Sequence, residues 1–368
     1  MARTAESPDA ARGARLSRRE RGVLLAMGAA ILGLLAAGTT LLLAASPHHY
    51  RISHTAVFGV GTGILALTLG MRHAFDADHL AAIDNTTRKL LHDDRRPLSV
   101  GFFFALGHST VVLALTVVLG LGVRALGVQV ANSGSTLHGV AGVVGTSVSG
   151  VFLYLIAALN VVILASIVRA FSALRRGELD EAELERRLES RGMMNRFFAP
   201  VARGIDRPWK MYPLGLLFGL GFDTATEVAF LVLSGTAVAS GLPFWALLSL
   251  PLLFAGGMAA LDTIDGCFMN FAYGWAFLRP VRKIYYNLVI TGLSVTVAFA
   301  IGTVELAGLA GQEFGVSNGV LGALGRVNLN AAGFVLAGLF IATWAVSLLA
   351  WRLLRIEERF TPAAIDAG

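Results

Sequence analysis

Long apolar runs recur along this chain from about residue 23 to about residue 351. Each is close to or beyond the roughly 20 residues that a helix needs to cross a hydrocarbon core. Inside a bilayer no water can satisfy a bare backbone, so runs of this length restrict the fold to helices. The composition agrees, with 55% hydrophobic and 15% charged residues against about 25% charged in an ordinary soluble domain. The expected fold is all-α: a polytopic integral membrane protein of about eight transmembrane helices. The spans fall near 23–45, 57–84, 98–123, 139–171, 211–239, 243–274, 285–311 and 329–351.

The net charge of +6 reports orientation rather than a nucleic-acid partner. All but four of the 30 Lys and Arg lie in the two tails or in the links after spans two, four and six. The exceptions are Arg51, Arg124 and Arg326 in the other links and Arg72 within span two. Basic loops stay cytoplasmic, which places both termini inside. The expected organisation is a basic cytoplasmic tail (1–22), one transmembrane domain (23–355) with a cytoplasmic link (172–210), and a cytoplasmic tail (356–368). The apolar core Val23 to Ala45 exceeds the 7–15 residues of a signal peptide, so span one is expected to be retained. Within the 172–210 link, Glu178 to Glu189 reads as a short solvated helix, and the Gly-rich link 312–328 reads as irregular. The single cysteine, Cys267, excludes an intramolecular disulfide and a thiolate cluster within the chain.

Span two contains His73-Ala-Phe-Asp-Ala-Asp-His-Leu-Ala-Ala-Ile-Asp-Asn85. An ionisable group at the centre of a bilayer costs about 2.5–3.5 kcal/mol on insertion scales, so His73, Asp76, Asp78, His79 and Asp84 need a function to justify their place. Imidazole together with carboxylate is a ligand set for a divalent transition metal. On a continuous helix His73, Asp76, His79 and Asp84 share an arc of roughly 140°, with Asp78 on the other side. Asp78 would then be a partner that holds an imidazole tautomer, unless the helix is distorted there.

Three further segments join this one. Span three carries Leu106-Gly-His-Ser-Thr-Val-Val112, in which Gly107 lets a neighbour approach closely beside His108. Span five carries Gly219-Leu-Gly-Phe-Asp-Thr-Ala-Thr-Glu227, with Asp223 and Glu227 four residues apart and so on one face. Span six carries Leu261-Asp-Thr-Ile-Asp-Gly266, with Asp262 and Asp265 three apart. Asp76, Asp78, Asp223, Glu227, Asp262 and Asp265 face one permanent cation in the spans, Arg72. Ionised and dry, six carboxylates cost on the order of 15–20 kcal/mol. An excess of negative charge attracts positive substrate, which selects cation transport over anion or neutral-solute transport. Spans two and six are both overlong, and one or both are expected to be broken, as in segments that line a cavity. A short echo between Phe104-x-Leu-Gly-x-x-Thr110 and Phe218-x-Leu-Gly-x-x-Thr224 hints at an internal repeat.

The string Arg72-His-Ala-Phe-Asp-Ala-Asp-His79 resembles the His-x4-Asp-His signature of the nickel/cobalt transporter family. The motifs at 106–112, 221–227 and 261–266 are similar to that family's other signatures, in the same order. The resemblance covers about residues 23 to 355. It implies secondary uptake of Ni2+ and/or Co2+ across a prokaryotic plasma membrane, with His73, Asp78 and His79 handling the metal. The ion is then cargo, so no cofactor is expected, and the partners are the ion and the lipid bilayer, with no nucleic acid and no protein implied. Phe222 stands where some members carry His, a departure that bears on selectivity between the two metals. His-rich loops of the related efflux branch are lacking, which favours import. Two other readings compete. His73-x4-Asp78 also matches a membrane acyltransferase box, but nothing downstream resembles a glycerol-phosphate site. An intramembrane metalloenzyme would need a base that no His-Glu-x-x-His box supplies here. The chain is therefore expected not to be an enzyme.

Overall fold

The structure is a computed structural model that describes residues 16–52, 57–92, 97–121, 136–175, 205–220, 230, 233–238, 241–276, 280–315, 318–325, 327 and 332–353. The expected helix at 178–189 lies outside the described residues, as do Asp223, Thr224 and Glu227. Described α-helices of seven residues or more are α1 (Arg18–Ala45), α2 (Val60–His73), α3 (Ala77–His92), α4 (Val100–Gly120), α5 (Thr136–Arg175), α6 (Met211–Phe218), α7 (Ser249–Ala276), α8 (Pro280–Phe314), α9 (Gly319–Gly325) and α10 (Ala332–Leu353). Among the described residues the one extended pairing is an isolated antiparallel bridge between Arg51 and Val57. Four described helical stretches are long and apolar enough to cross a membrane: Arg18–His48, Val100–Val118, Phe244–Ala272 and Thr291–Gly311. The fold is all-α and of multi-pass membrane type.

Helix α1 starts where Ser17 and Glu20 form a reciprocal capping box, Glu20 N donating to Ser17 Oγ at 3.2 Å and Ser17 N to Glu20 Oε2 at 2.7 Å. Span two is broken. After His73 the backbone turns tightly, Phe75 N donating to Arg72 O at 3.0 Å and Asp76 N to His73 O at 2.9 Å. Leu80 N to Asp76 O then opens α3. Asp76 immediately precedes the first helical residue, a position that favours Asp, and Asp78 puts negative charge in the first turn. Helix α3 runs eight residues beyond the expected end of span two, through Asn85-Thr-Thr-Arg-Lys, where Asn85 Nδ2 donates to Ala81 O at 2.7 Å and Lys89 Nζ to Ile205 O at 2.8 Å. Span six, by contrast, is continuous from Ser249 to Ala276 despite Pro251 and Gly256-Gly257. The link 312–328 is less irregular than expected and contains α9.

Helix α7 is the hub, packing against α1, α2, α3 and α4, while α6 lies on α4 and α5 runs along α8. Lipid is as apolar as leucine, so helices in a membrane associate through close packing of small residues rather than through hydrophobic drive. At Gly70 a Cβ would overlap the carbonyl of Phe254, and at Gly101 a Cβ would overlap the carbonyl of Asp262. These two approaches hold α2 and α4 against α7, with Phe254, Phe230 and Leu250 fully buried alongside.

Two cations sit differently from expectation. Arg72 is exposed on the outside of the bundle, and Arg88 on α3 is the buried one, 3.8 Å from Asp84 Oδ2. Beside α6, outside the spans, the Lys210 ammonium bonds Asp206 and holds that carboxyl below the usual carboxylate range. Gly101→Ala is expected to push α4 off α7, costing about 1–3 kcal/mol and lowering the thermal midpoint of the detergent-solubilised protein. Gly292→Ala, which adds a methyl to open space on α8, is expected not to lower it.

Candidate metal centre

Helix ends and close approaches bring three histidines into one buried cluster. His73 is the last residue of α2, His79 lies in the first turn of α3, and His108 lies on α4 beside Gly107. Gly107 allows the approach read from the sequence: a Cβ there would overlap the carbonyl of Tyr212 on α6. All three imidazoles are at most 2% exposed. Their ring centroids are 4.5 Å (His73 and His108), 4.6 Å (His73 and His79) and 4.9 Å (His79 and His108) apart. One ligand nitrogen from each can be chosen so that all lie within 4.8 Å of one another.

Two carboxylates orient the rings. Asp76 Oδ2 is 2.8 Å from His73 Nδ1, and Asp262 Oδ2 on α7 is 3.3 Å from His79 Nδ1. A carboxylate on one ring nitrogen fixes the tautomer and raises the basicity of the other, the usual arrangement behind a metal-bound imidazole. His73 Nε2 then lies 2.9 Å from His108 Nε2. His79 Nε2 is buried with no hydrogen-bond partner among the described residues. With metal–nitrogen bonds of about 2.0–2.1 Å, two ligands of one ion stand at most about 4.2 Å apart, so a small inward movement completes a three-nitrogen site. Phe104 packs edge-on against His79 at 4.7 Å and Phe254 lies 5.8 Å from His73, so the far walls are apolar.

The structure thus gathers His73, Asp76, His79, His108 and Asp262. Asp78 is half-buried and its Oδ1 accepts the backbone N–H of His79 at 2.9 Å. Asp265 lies one turn along α7 from Asp262. Asp84 sits in a separate buried network, where its Oδ2 accepts from Ser294 Oγ at 2.7 Å. There Asn85 Oδ1 accepts from Arg88 Nη2 at 2.8 Å and from Asn160 Nδ2 at 2.6 Å. Sequence reasoning passed over Arg88, Asn160 and Ser294, and also Glu305, which accepts from Ser149 Oγ at 2.8 Å. Asn160 and Glu305 did carry a signal, each being polar within an apolar run.

Buried imidazoles held by carboxylates in a multi-helix membrane protein make a site for a transition-metal cation. The family model described as High-affinity nickel-transport protein (NicO) matches residues 59–350, and the chain belongs to that family. It is 60% identical over 306 residues to the Nickel transporter NicT of Mycobacterium tuberculosis, covering 83% of this chain and 82% of that one. It is 46% identical over 308 residues to the Nickel transporter NixA of Staphylococcus aureus, covering 84% and 89%. It is 42% identical over 340 residues to the Cobalt transport protein NhlF of Rhodococcus rhodochrous, covering 90% and 93%. No solved structure matches the chain. With Ni2+ as probe, Asp262→Asn is expected to weaken equilibrium binding roughly 10–100-fold, the loss seen when a metal-bound imidazole loses its partner. Asp84→Asn, within its own network, is expected to change binding far less.

Proposed function

We infer that this chain is a secondary transporter that takes up Ni2+ and/or Co2+ across the prokaryotic plasma membrane. The observation that carries the reading is the buried set of His73, His79 and His108, with Asp76 and Asp262 behind it. Imidazole suits Ni, Co and neighbouring transition metals, whereas Mg2+ and Ca2+ require oxygen cages. The set therefore discriminates against the abundant hard cations. The relatives named for nickel and for cobalt support both metals as cargo. No resident cofactor enters the scheme.

The Lys and Arg distribution supports eight spans with both termini cytoplasmic. The ion enters a site made where span two is broken, the architecture by which transporters hold a substrate at the middle of the membrane. Asp78, Asp223, Glu227 and Asp265 are assigned to attracting the ion and passing it along, Asp84 to the network that holds Arg88, and Phe222 to the contrast between the two metals. The bilayer is the other partner, and the scheme needs no further protein.

His73→Ala and His79→Ala are each expected to reduce cellular 63Ni2+ and 57Co2+ accumulation to background at matched membrane abundance. Wild-type uptake in either variant would remove these imidazoles from the path. Imidazolium cannot bind a metal, so protons compete with the ion. Equilibrium Ni2+ binding to the solubilised protein is expected to be lost once acid protonates the buried imidazoles.

A further inference from the structure

Two contacts set the register between α3 and α7. His79 Nδ1 meets Asp262 Oδ2 at 3.3 Å, and a Cβ on Gly266 would stand 3.5 Å from Ile83 Cγ2. Both steps advance four residues in the same direction, so the two helices run side by side and parallel. The next rung pairs Thr87 with Asn270, with Thr86 on the same face of α3.

Along this seam lies a series of buried polar atoms with no hydrogen-bond partner among the described residues. They are Oδ1 of Asp262, Oδ2 of Asp265, the hydroxyls of Thr86 and Thr87, and Oδ1 of Asn270; around α3 at the far end, Nε and Nη1 of Arg88 also have none. The threonines are the telling members. Thr110, Thr116, Thr296 and Thr303 return their hydroxyls to the carbonyl four residues back, the ordinary way a helical threonine is satisfied. Thr86 and Thr87, both at most 1% exposed, do not. Buried polar atoms are almost always partnered by protein, water or ion. Single unpartnered atoms also lie elsewhere, at Ser109 and Ser234, but a contiguous series along one seam, beginning at the ligand-bearing rung, calls for one shared partner, and a file of water and ion supplies it.

We propose that the α3–α7 seam is the aqueous release path of the transported ion, leading from the imidazoles past Thr86, Thr87 and Asn270 to Arg88. From His79 to Thr87 the path covers about 12 Å of helix, toward the basic end of α3. Neutral hydroxyl and amide oxygens replace part of the ion's hydration without binding it tightly, as conduction requires. Arg88 stands at the end as a tethered cation, held by Asn85 Oδ1 at 2.8 Å beside Asp84. The path rests on the transport reading above, which makes that end the cytoplasmic one.

The test uses the full chain with its single cysteine replaced, Cys267→Ala, and Thr87→Cys or Asn270→Cys added one at a time. Ala81→Cys serves as the dry control, since Ala81 is fully buried about 200° around α3 from His79. A charged methanethiosulfonate reagent is applied from the cytoplasmic face in inside-out vesicles. Both seam positions are expected to react roughly tenfold or more faster than Ala81→Cys, since charged reagents travel in water and not through a dewetted constriction. Reaction no faster than the control would overturn the proposal. Labelling needs no metal, so it fails separately from the transport reading, which falls if the wild-type protein accumulates neither Ni2+ nor Co2+. As a second measure, Thr87→Val and Asn270→Leu are each expected to cut 63Ni2+ uptake roughly tenfold by drying the path. Equilibrium Ni2+ binding should stay within about twofold, at matched membrane abundance. Unchanged uptake, or binding lost in step with uptake, would also overturn it.

Discussion

The break after His73 is the constraint on which the site depends. Six residues separate His73 from His79, which on a continuous helix means a rise of about 9 Å and a turn of about 240°. Rings so placed cannot meet. In the structure their centroids are 4.6 Å apart, because α2 ends, the backbone makes two short turns, and α3 restarts at Ala77. Asp76 serves both sides of the break. Its place before α3 suits a helix start, and its carboxylate holds His73 Nδ1 at 2.8 Å. The same residue thus ends one half-helix, opens the next and turns an imidazole toward the site.

A broken helix with charged groups inside a membrane must be clamped from outside, and the clamps are backbone approaches rather than large side chains. Gly70 lies one turn before His73, Gly101 lies against the carbonyl of Asp262, and Gly107 adjoins His108. Each close approach is thus within a turn of a group that belongs to the cluster. Tight packing fixes the ligands to a precision that flexible loops could not supply. It also explains why α7, which carries only one residue of the cluster, is the helix that touches most of the others.

Much of this was legible in the sequence. The apolar runs, the placement of Lys and Arg and the four polar motifs pointed to a helical membrane protein that handles a cation, and Gly107 marked a close contact. One or both of spans two and six were expected to break, and composition could not choose between them. Span six contains Pro251 and Gly256-Gly257, yet α7 stays continuous from Ser249, its glycines making room for α1 and α2, as when Gly256 faces Leu35 and Gly257 faces Leu67. The wheel for span two presumed a continuous helix and therefore grouped Asp84 with the histidines. The charge balance named Arg72, which lies in an apolar run yet points outward, and omitted Arg88, which lies in a polar stretch yet is buried. Polarity along a chain reports composition, whereas burial depends on which neighbours arrive, and those come from α5 and α8.

Helix α3 therefore carries two charge environments along one rod. At its C-terminal half Asp84, Asn85 and Arg88 form a network that contains its own cation. At its N-terminal end His79 meets Asp262, and His73 meets Asp76, with imidazole facing carboxylate and no permanent positive charge between them. A self-balanced network resists exchange with a mobile ion, because an entering cation would have to displace a tethered one. The unbalanced end gains by taking up a positive ion, and its nitrogen donors decide which ion profits most. An arriving metal is thus drawn to the imidazoles rather than to the equally buried Asp84, although both carboxylate-bearing sites lie on the same helix.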